Sequence, residues 1–428
     1  MMELSLMGLT VVILLFAGFP IAVVLGLTGI AWTWAYGSSY LPGIAHTAFN
    51  TMASETLIAV PLFLLMGQIV QKARIAERFY NSLAHILIGL PGGLLHANVL
   101  ACGIFSAVSG SSVATASTIA TAAVPSQTRL NYNPRLTAGS LAAGGTLGIL
   151  IPPSIPLIIY CSLIEESIGL VFIAAIAPAF LLLAMFHLYI FMRALVDPTI
   201  APLPENISEA EDRSNLLWDA LPLTVIILSV LITIYMGWMT ASEAAAGGVA
   251  VSLVVALLGK SLTIPRLTEA AVESVRLTAM LLFIIVGAQL FSYAVFTWGF
   301  NTIVSDLVAS VAWPPAVILL ILALIYLVLG MFVDAISLLL MTVPVVHPII
   351  LQLGYDPIWF GVVLVLLLEV GLITPPVGMN LFAIKAVAHA ISLKDISFGA
   401  LPFVFLMLMV AVLLSAFPQL ALWLPFSR

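Results

Sequence analysis

Stretches such as Leu216–Tyr235 and Leu401–Leu424 are apolar almost throughout. Each reaches the ~20 residues that a helix needs to cross a ~30 Å hydrocarbon core. Lipid offers backbone groups no hydrogen-bond partners, so only helices and closed barrels span it. Barrel strands read as short alternating segments, whereas these runs are long and unbroken. An all-α integral membrane protein is therefore expected. The chain is 63% hydrophobic and only 7% charged, against about 25% charged residues in soluble domains. So little polar surface cannot cover a soluble core, which excludes a soluble enzyme. The first basic residue is Lys72, so the N-terminus lacks the basic flank of a removable signal. Cys102 and Cys161 sit far apart in apolar stretches without metal spacing and read as small buried residues.

Candidate spans are Leu4–Tyr36, Thr56–Val70, Ile168–Leu195, Leu216–Gly237, Thr240–Gly259, Thr278–Phe296 and Leu401–Leu424. Two further regions, Gly92–Ser162 and Pro314–Ala388, are apolar but interrupted by Gly, Pro and Ser. Val196–Asn215 holds Asp197, Glu205, Glu209, Glu211, Asp212 and Arg213 and reads as a linker between two halves. At an offset of 220, Phe63 and Gly67 match Phe283 and Gly287, and Val113 and Ser117 match Val333 and Ser337. After a one-residue slip, Pro125 matches Pro344. At an offset of 223, Tyr132, Pro134, Gly148, Pro152 and Pro153 match Tyr355, Pro357, Gly371, Pro375 and Pro376. Matching broken apolar segments in two halves point to a transporter binding site.

Cytoplasmic loops carry the excess of Lys and Arg. Basic residues cluster at 72–78, 129–135, 193–213, 260–266 and 385–394, while Tyr36–Glu55, Glu165–Ser167 and Phe300–Pro315 have none. On that charge pattern Gly92–Thr128 leaves and returns on the cytoplasmic face and Pro314–Gly354 on the outer face. Each reads as a re-entrant helical hairpin, and opposite entry makes the repeats inverted. Leu4–Tyr36 is either one long tilted span or two short spans broken at Gly18-Phe19-Pro20. Inverted symmetry favours the break.

Four irregular segments carry the functional reading. Ser109-Gly110-Ser111-Ser112 can end one helix and cap the next. A hairpin tip at mid-membrane presents carbonyls suited to Na⁺ and N–H groups suited to a carboxylate; close packing through small residues is the alternative. Gly148–Pro156 contains Pro152, Pro153, Ser154 and Pro156, and prolines release carbonyls from a helix. Those carbonyls must line a cavity or lie buried in protein. Gly330–Ser337 brings Asp334 into an apolar run, as a functional group or a helix cap. Gly371–Asn380 breaks its helix at Pro375-Pro376, near Gly378, and adds the oxygens of Thr374 and Asn380. Glu369, just before it, reads as a structural partner rather than a proton site. The six histidines are scattered, and there is no P-loop, H-E-x-x-H or G-x-S-x-G.

These segments, with Pro61–Gly67 and Thr240-Ala241-Ser242-Glu243-Ala244, resemble the large membrane subunit of tripartite ATP-independent periplasmic (TRAP) transporters over nearly the whole chain. Ala241 departs from the Pro usual in the last motif. The resemblance implies a multi-pass protein of the bacterial inner membrane with an elevator-type ion-transporter fold, and no enzyme. It implies Na⁺-driven uptake of a small organic acid, with Na⁺ as coupling ion and no other cofactor. The partners implied are a periplasmic binding protein and a small four-helix membrane subunit, expected here as a separate chain. No nucleic-acid partner is expected. On this plan 1–91 supplies scaffold helices and an arm, 92–165 a hairpin and broken helix, and 166–215 a span and the linker. The second half repeats this as 216–313 and 314–390, with a final span in 391–428. Two sites are expected: Ser109–Ser112 with Gly148–Ser154, and Gly330–Asp334 with Thr374–Asn380. A one-component Na⁺/dicarboxylate carrier is the alternative, although its Ser-Asn-Thr tips are missing. An intramembrane enzyme would need a catalytic dyad, and none is visible.

Cysteines placed at positions 74, 130, 208, 262 and 394 are expected to react with an impermeant thiol reagent from the cytoplasmic side alone. Strong periplasmic labelling at any two would reverse the orientation.

Overall fold

The computed structural model describes residues 2–202, 216–300, 302, 303, 306, 310 and 313–426. Among them the regular structure is helical throughout. Most of the predicted linker, including Glu205–Arg213, lies outside the described residues, as does much of 300–312. The first half opens with α1 (Met2–Phe16) and α2 (Ile21–Tyr36), so the chain breaks around Gly18–Pro20 as symmetry favours. Then come α3 (Leu41–Met52), α4 (Ala59–Lys72) and α5 (Ile75–Leu87). The segments Ser38–Met52 and Thr56–Lys72 are bent by 49°. A helical hairpin follows, α6 (Gly93–Ser109) and α7 (Ser112–Arg129), then a broken helix, α8 (Pro134–Leu150) and α9 (Ile155–Ile164), and the long α10 (Ile168–Val196).

The second half repeats the plan with α11 (Leu216–Tyr235), α12 (Ala241–Leu258) and α13 (Ile264–Thr297). Its hairpin is α14 (Pro315–Gly330) and α15 (Ala335–Gln352), and its broken helix is α16 (Pro357–Leu372) and α17 (Met379–Val387). The chain closes with α18 (Leu393–Ala416) and the short α19 (Gln419–Phe426), so the predicted span Leu401–Leu424 is interrupted near Pro418. At 34 residues, α13 outruns its predicted span Thr278–Phe296. The hydropathy pattern missed its first turns because Arg266, Glu269, Glu273 and Arg276 interrupt the apolar run without breaking the helix.

Seven spans among the described residues, with α8 and α9 taken together as one, are long and apolar enough to cross a membrane. Hairpin arms and half-helices such as α6, α14 and α16 fall short of that length, because each ends at an internal break.

Packing reveals the repeat. α2 lies along α13 and α12 along α4, the same pair taken from opposite halves. Gly26 faces Gly287 in one pair and Gly248 faces Met66 in the other, contacts at positions within one or two residues of the offset of 220. Caps fix the second register. Asn133 and Asp356, 223 apart, each cap a helix that begins with proline, accepting two backbone N–H groups. Ser111 and Asp334, also 223 apart, cap the second arms of the hairpins.

This corrects the sequence alignment at the tips. The second connection, residues 331–334, is two residues longer than the first, 110–111. Val113 and Val333 are therefore not equivalent, and Pro125 corresponds to Pro348 rather than Pro344.

Each half-helix crosses to the other repeat: α17 packs on α7, and α9 packs on α15. Small residues permit the tightest contacts. A Cβ on Gly371 would lie 2.6–2.8 Å from the backbone of Gly330 at the second hairpin tip. Gly371→Ala is expected to destabilise the protein by about 1–3 kcal/mol. Detergent-solubilised protein should show this as a lower thermal midpoint.

Candidate functional site

At the first tip, α6 ends in Gly110 with φ +60°, where the Gly110 N–H donates to Ser106 O. That left-handed conformation favours glycine, and a Cβ there would meet Ile155 Cδ1 at 2.6 Å. The Ser111 hydroxyl accepts from Ala114 N at 3.3 Å to start α7. Ser109 Oγ lies 2.5 Å from Thr115 Oγ1. The second tip uses a carboxylate instead, Asp334 Oδ1 accepting from Ser337 N at 3.0 Å.

Behind each tip lies a broken helix. In the first, Gly148 faces Ser106 on α6, and Pro152 and Pro153 are buried. The Ser154 hydroxyl donates to Ile149 O across the break and accepts from Leu157 N at 3.4 Å. In the second, Gly371 meets Gly330, Thr374 Oγ1 donates to Val370 O at 2.6 Å, and Gly378 N donates to Met331 O at 3.2 Å. Pro375 is half-buried and Pro376 exposed.

Asn380 behaves differently from the expected grouping. Its Nδ2 donates to Ser112 Oγ at 2.6 Å and Ala142 O at 3.3 Å, so it joins the first repeat's hairpin rather than Gly330–Asp334. The crossing of α17 onto α7 explains the change. Asn380 is fully buried, and its Oδ1 has no hydrogen-bond partner among the described residues.

Glu369 is also fully buried, and neither carboxylate oxygen completes a hydrogen bond of normal geometry, although the Leu150 backbone faces it. His96 and His187, by contrast, satisfy one another, with Nδ1···Nδ1 at 2.8 Å.

Both tips face one cavity of about 700 Å³. Gly110, Ser111 and Ser112 line it from the first hairpin, and Asp334 and Ser337 from the second. Ile149, Pro156, Leu372 and Met379 represent the broken helices on its wall; Gly148, Pro152–Ser154, Gly371, Thr374–Pro376, Gly378 and Asn380 are not on it. The opposite wall comes from Pro20–Ala22 at the start of α2 and from Leu277, Met280, Leu281, Phe283 and Ile284 on α13. Groups of three or more His, Cys, Asp or Glu able to hold a metal are absent among the described residues.

Residues 8–420 match the family described as "Tripartite ATP-independent periplasmic transporter, DctM component". The chain belongs to this family. It is 35% identical over 407 residues to the C4-dicarboxylate TRAP transporter large permease protein DctM of Pseudomonas aeruginosa, covering 94% of this chain and 93% of that one. It is 31% identical to the sialic acid TRAP transporter large permease SiaM of Vibrio cholerae, covering 96% of each. It is also 30% identical to the 2,3-diketo-L-gulonate large permease YiaN of Escherichia coli, covering 94% of each. Among solved structures, the Alcanivorax borkumensis YdaH transporter superposes with a TM-score of 0.63, covering 91% of this chain and 90% of that chain. At 13% identity this likeness is one of fold. The protein is thus a multi-pass TRAP large permease of the bacterial inner membrane, a transporter and not an enzyme.

Sequence reasoning missed the permease's second cavity wall. Leu277, Met280, Leu281 and Ile284 recur at helical spacing, but such a stripe does not say whether it meets lipid, protein or a cavity.

Asn380→Ala would leave Ser112 and Ala142 O without their common donor. A loss of about 1–3 kcal/mol is expected, read as a lower thermal midpoint in detergent.

Proposed function

We propose that the chain takes up a small organic acid, driven by Na⁺, by an elevator movement of the hairpins and broken helices against α1–α4 and α11–α13. The observation that carries this reading is the single cavity between the two hairpin tips and the α2–α13 wall. A bound solute there touches elements from both repeats, and the seam it occupies is where one body would slide on the other.

Several relatives carry C4-dicarboxylate, sialic acid or 2,3-diketo-L-gulonate in their names, all small acids. The start of α7, capped by neutral Ser111, presents a helix N-terminus to such an anion.

Na⁺ needs several oxygens. The unpartnered Oδ1 of buried Asn380, beside Ser112 Oγ, is suited to a cation in the first half. Asp334 and Thr374 supply oxygens in the second. The membership supports two partners, a periplasmic binding protein to deliver the solute and a small membrane subunit to complete the scaffold. On the expected orientation the basic clusters at Lys72, Arg129 and Lys260 face the cytoplasm, and the cavity lies against Leu277, Met280 and Ile284 at the middle of α13.

The test uses proteoliposomes holding the permease with its small subunit and binding protein, offered radiolabelled C4-dicarboxylates and sialic acid. Uptake should require all three proteins and an inward Na⁺ gradient, and a proton gradient at fixed Na⁺ should not replace it. Ser112→Ala and Thr374→Ala should each raise the Na⁺ concentration for half-maximal uptake about fivefold, the loss of about 1 kcal/mol of ligation. Full uptake in Na⁺-free buffer would defeat the coupling. Full uptake by the permease alone would make it a one-component carrier.

A further inference from the structure

The repeat puts equivalent caps at the two hairpin tips, but their chemistry differs. Ser111 and Asp334 each cap the second arm of a hairpin, and both line the cavity. A helix N-terminus carries roughly half a positive charge. Neutral Ser111 leaves that charge in place at the start of α7. The Asp334 carboxylate outweighs it at the start of α15, leaving roughly half a negative charge there. Nothing else in the wall evens out the difference. Asp334 is the only ionisable side chain among the described lining residues, which include no Lys, Arg or His.

The hydrogen-bonding groups are divided in the same sense. Ser112 is 4% exposed, and its Oγ accepts from Asn380 Nδ2 at 2.6 Å, so its hydroxyl proton is left to be donated. Asn380 Oδ1, fully buried beside it, has no partner among the described residues. At the other tip a carboxylate has about four acceptor sites, and the cap to Ser337 N takes one of those on Asp334. Between the tips the wall is apolar, with Met280 and Phe283 exposed on α13 and Ile149 and Leu372 behind.

We infer that the cavity is built for a hydroxylated monocarboxylate and discriminates against dicarboxylates. The solute carboxylate lies at Ser111, Ser112 and the start of α7. Its hydroxyl groups, at the far end, donate to Asp334, and its carbon body lies along Met280 and Phe283. The charges then balance. The Na⁺ proposed for each half offsets Asp334 and one solute carboxylate. A second carboxylate would be left uncompensated in a largely apolar cavity, next to Asp334, where a like charge is strongly disfavoured. The volume agrees with a solute larger than a four-carbon diacid. At ~30 Å³ per water, the cavity equals roughly twenty waters.

This deepens the transport reading and rests on it, and the test separates the two. The permease is purified with its small subunit, without the binding protein, so that only its own selectivity is read. At saturating Na⁺ the thermal midpoint is followed while gluconate, glucuronate, N-acetylneuraminate, succinate or fumarate is titrated in. Asp334→Asn and Ser111→Asp are compared with the wild type. Ser, Asp and Asn cap helices about equally well, so both variants keep the fold, which their midpoints without solute verify.

A hydroxylated monocarboxylate should bind the wild type at least about tenfold more tightly than succinate or fumarate. Asp334→Asn should reduce that preference about tenfold or more by weakening the first and strengthening the second. Ser111→Asp should abolish the shift from every acid. Succinate or fumarate binding the wild type as tightly as the best monocarboxylate would overturn the inference and leave the transport reading standing. A preference unchanged in Asp334→Asn would also overturn it. No shift from any of these acids would remove the acid site itself, and the transport reading with it.

Discussion

The structure depends on the need to satisfy backbone hydrogen bonds where water is scarce. A continuous helix meets that need by itself. Among the described residues the two hairpin tips and the two breaks behind them do not. Each exposes helix ends, and each is closed from nearby. Ser111, Ser154 and Asp334 cap the helices that follow, and Ser154 also donates to Ile149 O. The remaining groups must be buried in protein or face a cavity. That requirement draws the irregular segments to the middle of the molecule and sheathes them with regular helices.

The sheathing is reciprocal between the repeats. Since α17 lies on α7 and α9 on α15, neither hairpin is completed by its own half. Asn380 shows what the crossing does chemically, linking the second broken helix to the first hairpin through Ser112. A site assembled this way depends on both halves at once. Two fully buried side chains near the breaks, Asn380 and Glu369, carry oxygens without a hydrogen bond of normal geometry among the described residues. Both are costly to leave so in an apolar interior, which marks the region as one tuned for something other than stability.

Much of this was legible from sequence. The prolines at 152, 153, 375 and 376 come as adjacent pairs, and two successive residues without an N–H broke their helices, whereas single prolines such as Pro178 and Pro402 sit inside continuous ones. Pro134 and Pro357 stood out as repeat matches, but the Asn133 and Asp356 caps before them, which start α8 and α16, were not picked out. The hairpin alignment was misread because Val and Ser recur in apolar sequence by chance, and the two-residue difference between the tips is invisible until the caps are seen. The charged start of α13 escaped for a related reason. Hydropathy reports where a helix meets lipid, not where it ends.

The sequence by itself determined the material of the protein. Apolar length set helices in a membrane, proline and glycine set the breaks, basic residues set the expected orientation, and the motifs set the family. These are local properties, carried by a few consecutive residues. Only the tertiary structure decided which breaks meet, that Asn380 reaches Ser112 across 268 positions, and that Phe283 faces a cavity while Phe63 is covered. Those facts depend on how separate helices cross, and no local pattern of apolar residues distinguishes a lipid-facing stripe from a cavity wall.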